Sequence, residues 1–141
     1  MSNADDQPRL IEPVRLSQAV AGGTELEHFE PWPAGMQQRR VGRHALKVWF
    51  EGEHLTAMVY QAEEGQLRFE SLPYDEHVYV LSGGAVLETD AGERHDYGPG
   101  DVFVVPKGWS GTWEFLKDYR ELVVFETSSV NAAMNAWFGW E

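Results

Sequence analysis

The sequence has 141 residues and a mass of 16.0 kDa, enough for one domain with a substantial core but not for two. Its formal net charge of -12 argues against nucleic acid and anionic lipid as direct partners, because like charges repel. The absence of cysteine excludes disulfides, thiolate nucleophiles and thiolate metal sites.

The N-terminal stretch predicts neither a secretion signal nor a membrane anchor. Residues 1–10 lack the basic start and apolar run of a signal peptide, and no run of about 18 apolar residues occurs. We therefore expect a cytoplasmic protein without a membrane partner.

Residues 1–40 carry no sustained period and are interrupted by four prolines, at positions 8, 13, 31 and 33. The pattern predicts an N-terminal arm that is partly disordered, up to about Pro8. Leu26, Phe29 and Trp32 are apolar enough that we expect the later arm to pack on the rest of the protein or on a second subunit.

Residues 41–127 alternate short apolar runs with glycine-containing turns, a spacing typical of an all-β sandwich or barrel. No long helix interrupts the runs, so the segment predicts a single antiparallel jelly-roll barrel. The predicted strands are 46–51, 54–62, 66–71, 77–81, 84–89, 102–105, 111–116 and 120–126.

Residues 128–141 predict a short C-terminal helix that packs on the barrel or on a dimer partner. Ser128 or Ser129 is the predicted N-cap. At helical spacing, one face then carries Val130, Ala133, Met134, Trp137 and Phe138.

Two segments, 74–84 and 98–115, resemble the two sequence motifs of the cupin superfamily, whose fold is a double-stranded β-helix of the jelly-roll type. The first segment retains the motif glutamate, Glu76, and after six further residues the motif glycine, Gly83. The second retains the spacing of glycine, proline and glycine, at Gly100, Pro106 and Gly108.

The stretch PKGWSGTWEF, followed by Arg120, resembles one branch of the cupins, which includes the ureidoglycine aminohydrolase cupin domain and the ethanolamine-utilisation cupin. This resemblance covers about residues 46–126 and implies a small barrel that forms homodimers. Members range from metal-dependent hydrolases to proteins of unknown role, so it implies no single reaction. Glu121 departs from the branch, where a basic residue often follows the arginine.

The metal-binding histidines of the cupin pattern are missing. Their positions hold Phe69 and Ser71, or Glu70 and Leu72, in the first motif, and Gly111, with Phe115 at the asparagine position, in the second. One carboxylate cannot hold a transition metal alone, so we predict no metal cofactor. The weaker alternative is a divalent ion held by Glu70, Glu76 and His54.

The predicted site is a ligand-binding pocket inside the barrel. By strand alternation Gly111, Trp113 and Phe115 share the face of the lost histidine, and Tyr74 and Glu76 belong to the first motif. A carboxylate buried among such rings has a raised pKa, and it can act as a general acid or base or anchor a ligand. We therefore predict that the barrel binds a small organic molecule.

Two alternatives remain open. The chain is a metal-dependent enzyme of the aminohydrolase or lyase kind that uses Glu76 with non-standard ligands, or it is a dimeric interaction module with a solid barrel. The five histidines have no metal-ligand spacing and are predicted to be solvated. A basic cluster is predicted to be a solvated face that pairs with the protein's own carboxylates: Arg39, Arg40, Arg43 and Lys47.

Overall fold

A computed structural model describes residues 11–140, and the disorder predicted up to about Pro8 lies outside them. The short helix α1 is Gln18–Ala21, a 3-10 turn follows at Ala34–Met36, and the C-terminal helix α2 is Thr127–Phe138. Within residues 11–140 the strands are β1 (Glu27–His28), β2 (Gln37–Arg39), β3 (His44–Glu51), β4 (Leu55–Ala62), β5 (Gly65–Phe69), β6 (Glu76–Ser82), β7 (Ala85–Thr89), β8 (Arg94–Tyr97), β9 (Val102–Val105), β10 (Gly111–Phe115) and β11 (Tyr119–Glu126).

The strands form two antiparallel sheets, in the orders β1-β3-β4-β11-β6-β9 and β2-β5-β10-β7-β8. Non-sequential neighbours such as β4 and β11 show the crossed connections of a jelly roll, so the predicted fold class is confirmed. Every predicted strand is present. Three strands were not predicted: β1 and β2 are very short, and β8 has the polar sequence RHDY, so none carries an apolar alternation.

The barrel interior is built by alternation along the strands. On β11 the buried residues are Tyr119, Glu121, Val123 and Phe125, and the residues between them are more exposed. The facing sheet contributes Leu67 and Trp113, which pair across β5 and β10. The core therefore lies between the sheets and is rich in aromatic rings.

The arm packs against this barrel at two places. The Arg120 Nε atom donates a hydrogen bond to the Ala21 carbonyl at 2.8 Å, and Val20 is buried. Trp32 is also buried, and its ring contacts Trp137 and Phe138 of α2 with centroids 5.5 and 5.1 Å apart. Arm and C-terminal helix thus meet over one end of the barrel.

Helix α2 differs from its prediction in its cap. The N-cap is Glu126, whose carboxylate accepts a hydrogen bond from the Ser129 amide at 3.2 Å, so the prediction of Ser128 or Ser129 is wrong. The predicted apolar face is correct, since Val130, Ala133 and Met134 are buried. No helix among residues 11–140 is long and apolar enough to span a membrane.

The motif glycine Gly83 has a structural role that a substitution tests. Its φ is 69°, and a Cβ there would lie 2.5 Å from the Asp118 carbonyl carbon. Gly92 also has a positive φ, 91°, but open space around it. We expect Gly92→Ala to lower the free energy of unfolding by about 1 kcal/mol, and Gly83→Ala by about 3 kcal/mol because overlap adds to strain. Denaturant unfolding of both variants measures this, and equal losses would contradict a steric role for Gly83.

Candidate functional site

A cavity of about 40 Å³ lies between the two sheets, and we call it the interior cavity. Among its lining residues, only two glutamates, two tyrosines and two tryptophans carry N–H, O–H or carboxyl groups on their side chains, and the rest of the lining is apolar. Four of the five predicted site residues line it: Tyr74, Glu76, Trp113 and Phe115. Gly111 does not line it. A Cβ there would lie 2.3 Å from the Glu88 carbonyl oxygen, so this glycine permits the close approach of β10 to β7.

The two carboxyls belong to Glu76 and Glu121, on the neighbouring strands β6 and β11. Glu76 is 6% exposed and Glu121 is 3% exposed. Glu121 pairs with Val80, two inward positions along β6 from Glu76. The sequence prediction did not include Glu121 in the cavity lining, although alternation with Tyr119 and Val123 on the same strand would have placed it on the buried face.

Burial dominates the ionisation of this pair. Loss of water raises the pKa of Glu76 well above its usual range, and the nearby charge of Glu121 raises it further. Burial likewise raises the pKa of Glu121 to about 7, although the Tyr119 hydroxyl donates a hydrogen bond to its carboxylate and opposes the rise. The pair therefore carries fewer than two negative charges at neutral pH.

A hydrogen-bonded chain closes the arm end of the cavity. The Trp32 Nε1 atom donates to the Tyr60 hydroxyl at 2.8 Å, and that hydroxyl lies 3.0 Å from His44 Nδ1. His44 Nε2 lies 2.6 Å from the Glu30 carbonyl, which can only accept, so Nε2 donates and Nδ1 accepts from Tyr60. Burial lowers the pKa of His44, in keeping with a neutral ring. The prediction of a solvated histidine is wrong for His44, which is 4% exposed.

Trp113 contributes an unpaired donor to the cavity wall. Its side chain is 3% exposed, and its indole N–H has no acceptor among the described residues. Buried donors are rarely left without a partner, since that costs about 1–3 kcal/mol. A water or a ligand atom in the interior cavity is the natural acceptor.

The residues present do not fit a histidine-based metal centre. Glu70 and His54 have side chains 75% and 82% exposed, and neither lines the interior cavity with Glu76. At the histidine positions of the cupin pattern, Phe69 and Leu72 are buried apolar side chains. Across residues 11–140, no group of three or more His, Asp or Glu side chains could hold a metal ion.

A much larger cleft, of about 830 Å³, lies on the outside of the barrel beside the arm. It mixes basic with acidic side chains: Arg40, Arg43, Lys117, Glu63, Glu64 and Asp118. Arg39, outside this cleft, pairs with Glu114 at 2.7 Å. We take the interior cavity as the site despite its smaller volume, because its buried ionisable groups have strongly displaced pKa values, as functional sites often do.

Comparison with known proteins agrees with the fold. A family model described as EutQ-like cupin domain matches residues 51–121. No curated protein matches the sequence at a significant level. The chain is similar to the structure of a putative ethanolamine utilization protein Q from Salmonella typhimurium, with 24% identity, a TM-score of 0.53, and coverage of 61% of this chain and 71% of that one.

Two other solved structures are similar. EutQ of Clostridium difficile has 22% identity and a TM-score of 0.54, and the match covers 64% of each chain, slightly under two thirds of that structure. The polyketide cyclase RemF of Streptomyces resistomycificus has 16% identity, a TM-score of 0.58, and coverage of 84% of this chain and 80% of that one. At these identities the likeness concerns the fold alone.

Proposed function

This chain belongs to the EutQ-like cupin family, and from that premise we propose that its barrel binds a small organic molecule in the interior cavity. In this proposal Glu76 and Glu121 anchor the ligand in place of a histidine-bound metal. Tyr74, Trp113 and Phe115 form the walls.

The observation that carries the proposal is the pair of buried carboxyls on one cavity. Burying an ionisable group is costly, and a protein without need of it gains stability from an apolar replacement. Glu76 and Glu121 are nonetheless placed where no Lys, Arg or His lines the same space. Convergent polar groups in an apolar cavity are the usual composition of a ligand site.

The size of the interior cavity restricts the ligand. About 40 Å³ is room for roughly one to three water molecules, so the closed form accepts only a molecule of a few non-hydrogen atoms. Anything larger requires movement of the rings at the arm end, Phe29, Trp32 and Phe138. Phe29 and Phe138 are only partly buried and come from the arm and α2, so they are the rings freest to shift.

The pair also supplies proton-transfer groups to the ligand. Near pH 7 a carboxyl such as Glu76, with its strongly raised pKa, is a proton donor, whereas Glu121 is partly ionised and accepts. This is the chemistry of general acid and base, and it needs no further residue.

Carbon NMR of glutamate side chains tests the proposal. In protein labelled with ¹³C-glutamate, we expect the carboxyl signals of Glu76 and Glu121 to shift when small polar fragments are added. We also expect the Glu76→Gln variant to bind those fragments more weakly. Glu51→Gln, at an exposed position on β3, is the matched control and leaves binding unchanged. Shifts confined to exposed glutamates would contradict a site in the interior cavity.

The homodimer expected from the resemblance belongs to the same proposal. The outward side chains of β6 and β9 include Tyr79, Val102 and Val104, which are 40 to 54% exposed, and His77, with no Asp, Glu, Lys or Arg among them. Since each copy carries a net charge of -12, a second copy meets least repulsion on such a strip. Analytical ultracentrifugation would then give twice the mass of 16.0 kDa.

A further inference from the structure

We propose that the ligand of the interior cavity is a small organic ammonium ion that also carries a hydrogen-bond acceptor, such as an amino alcohol. This inference rests on the proposed function and names the ligand class for the same site. Three features of the cavity wall support it: its carboxyls, its rings and its unpaired donor.

The carboxyls call for a cation. Glu76 and Glu121 both line the cavity, and every other lining residue is uncharged. A carboxylate removed from water is stabilised chiefly by an opposite charge, and none is supplied by the described residues around the cavity. An ammonium group between the two supplies that charge and also donates hydrogen bonds.

The rings suit an organic cation better than a hydrated inorganic one. Tyr74, Trp113 and Phe115 line the same space, and aromatic faces attract alkylammonium groups through their quadrupoles. The carbon atoms of the ligand are accommodated by the same rings. A hydrated metal ion would lose its water here and find only two carboxyls in exchange.

The indole N–H of Trp113 calls for an acceptor. It is buried and unpaired, and it belongs to a residue of the cavity wall. An ammonium ion alone cannot accept a hydrogen bond, whereas a hydroxyl oxygen on the same molecule can. A short chain with an ammonium group at one end and a hydroxyl at the other satisfies both ends of the site.

Binding of such a cation is coupled to proton release. The cation binds more tightly when both carboxyls are ionised, and burial raises the pKa of each carboxyl. Binding near pH 7 therefore releases protons from Glu76 and Glu121, and the affinity rises between pH 6 and 8. The other titratable groups around the pair remain neutral in this range, because burial raises the pKa of each tyrosine and lowers that of the histidine: Tyr60 on β4, Tyr74 before β6, Tyr119 on β11 and His44 on β3.

Three probes of matched size separate the contributions: 2-aminoethanol, propylamine and 1-propanol. We expect 2-aminoethanol to bind at least about tenfold more tightly than 1-propanol, which lacks the charge, and roughly two- to tenfold more tightly than propylamine, which lacks the acceptor. In Trp113→Phe the two amines become equal. Calorimetry in buffers of different ionisation enthalpy should detect proton release when the two amines bind and none when 1-propanol binds. In a separate titration, potassium chloride at equal ionic strength tests whether an inorganic cation displaces the amines.

The outcomes distinguish this inference from the function on which it rests. If 1-propanol binds as tightly as the amines and shifts the carboxyl signals of Glu76 and Glu121, the ammonium inference is wrong and the cavity still binds ligands. Displacement of the amines by potassium would also overturn it. If neither the probes nor the wider fragment set perturbs those signals, both proposals are wrong.

Discussion

The Glu121→Gln variant is expected to unfold with a larger free energy than the natural protein at pH 8, by about 2 kcal/mol. A rise of the Glu121 pKa from 4.5 to about 7 corresponds to about 3 kcal/mol. The glutamine amide needs a new hydrogen-bond partner in the buried site, which offsets about 1 kcal/mol of the gain.

The sign follows from proton binding. Between pH 4.5 and about 7 the folded state holds the Glu121 proton while the unfolded state has lost it, so raising the pH in this window lowers the free energy of unfolding. The contribution of Glu121 to the free energy of unfolding is fully present below pH 4.5 and is lost above about pH 7. The pKa of Glu76 is also raised, so the contribution of Glu76 begins to fall at the same pH and continues to fall at higher pH.

Urea unfolding from pH 4.5 to 8 measures this dependence in the natural protein and in the variant. The Glu121→Gln curve should fall less steeply across the window, while Glu51→Gln, altered at an exposed position, should follow the natural protein. Parallel curves for Glu121→Gln and the natural protein would mean that Glu121 is not a desolvated acid.

Trp32→Ala is expected to have the largest effect on stability, a loss of about 3–5 kcal/mol. Trp32 is 8% exposed, and its ring lies against Phe69, Trp137 and Phe138 with centroids 6.1, 5.5 and 5.1 Å away. The substitution also leaves the Tyr60 hydroxyl without its donor. Arm, barrel and α2 are joined at this ring, so its removal loosens all three.

The matched variant is Trp32→Phe, which keeps most of the ring packing and loses only the indole N–H. We expect it to cost about 1–2 kcal/mol, the range for one broken buried hydrogen bond with modest loss of volume. Guanidinium unfolding of both variants gives the comparison. A loss below about 1 kcal/mol for Trp32→Ala would show that the arm does not close the barrel.

The barrel was predictable because the sequence patterns that indicate it involve residues close together in the chain. Alternation along 120–126 and the glycine-containing turns predict the strands and the face of each that is buried, and the motif spacing around Glu76 and Gly83 indicates the fold. Strand β8 was not predictable in this way. It pairs with β7 at the edge of a sheet, where polar side chains are tolerated on both faces.

The lining of the interior cavity was predicted only in part. Alternation and motif position indicated Tyr74, Glu76, Trp113 and Phe115, whereas Glu121 was considered only as a departure from the branch pattern. The burial of His44 was missed because it depends on Phe29, which lies 15 positions earlier in an irregular arm and stacks on the His44 ring with centroids 3.8 Å apart. An irregular arm has no hydrophobic periodicity, so its contacts with the barrel cannot be predicted from the sequence pattern.

The residues that replace the metal-binding histidines of the cupin pattern suit a different kind of ligand. At positions where the cupin pattern has histidines, Phe69 and Leu72 are buried apolar side chains, Phe115 is buried at the asparagine position, and a second carboxyl, that of Glu121, lines the interior cavity with the retained Glu76. A metal centre needs several lone-pair donors converging on one point, whereas an organic cation needs negative charge and aromatic faces. The residues of this barrel meet the second requirement.

A crystal structure of the protein grown with 2-aminoethanol tests the central claim most directly. We predict electron density for the ligand in the interior cavity, in contact with the carboxyls of Glu76 and Glu121, at a ligand concentration that shifts their NMR signals. An interior cavity that holds only water, with ligand density in the outer cleft beside Arg40 and Lys117 or nowhere, would contradict it.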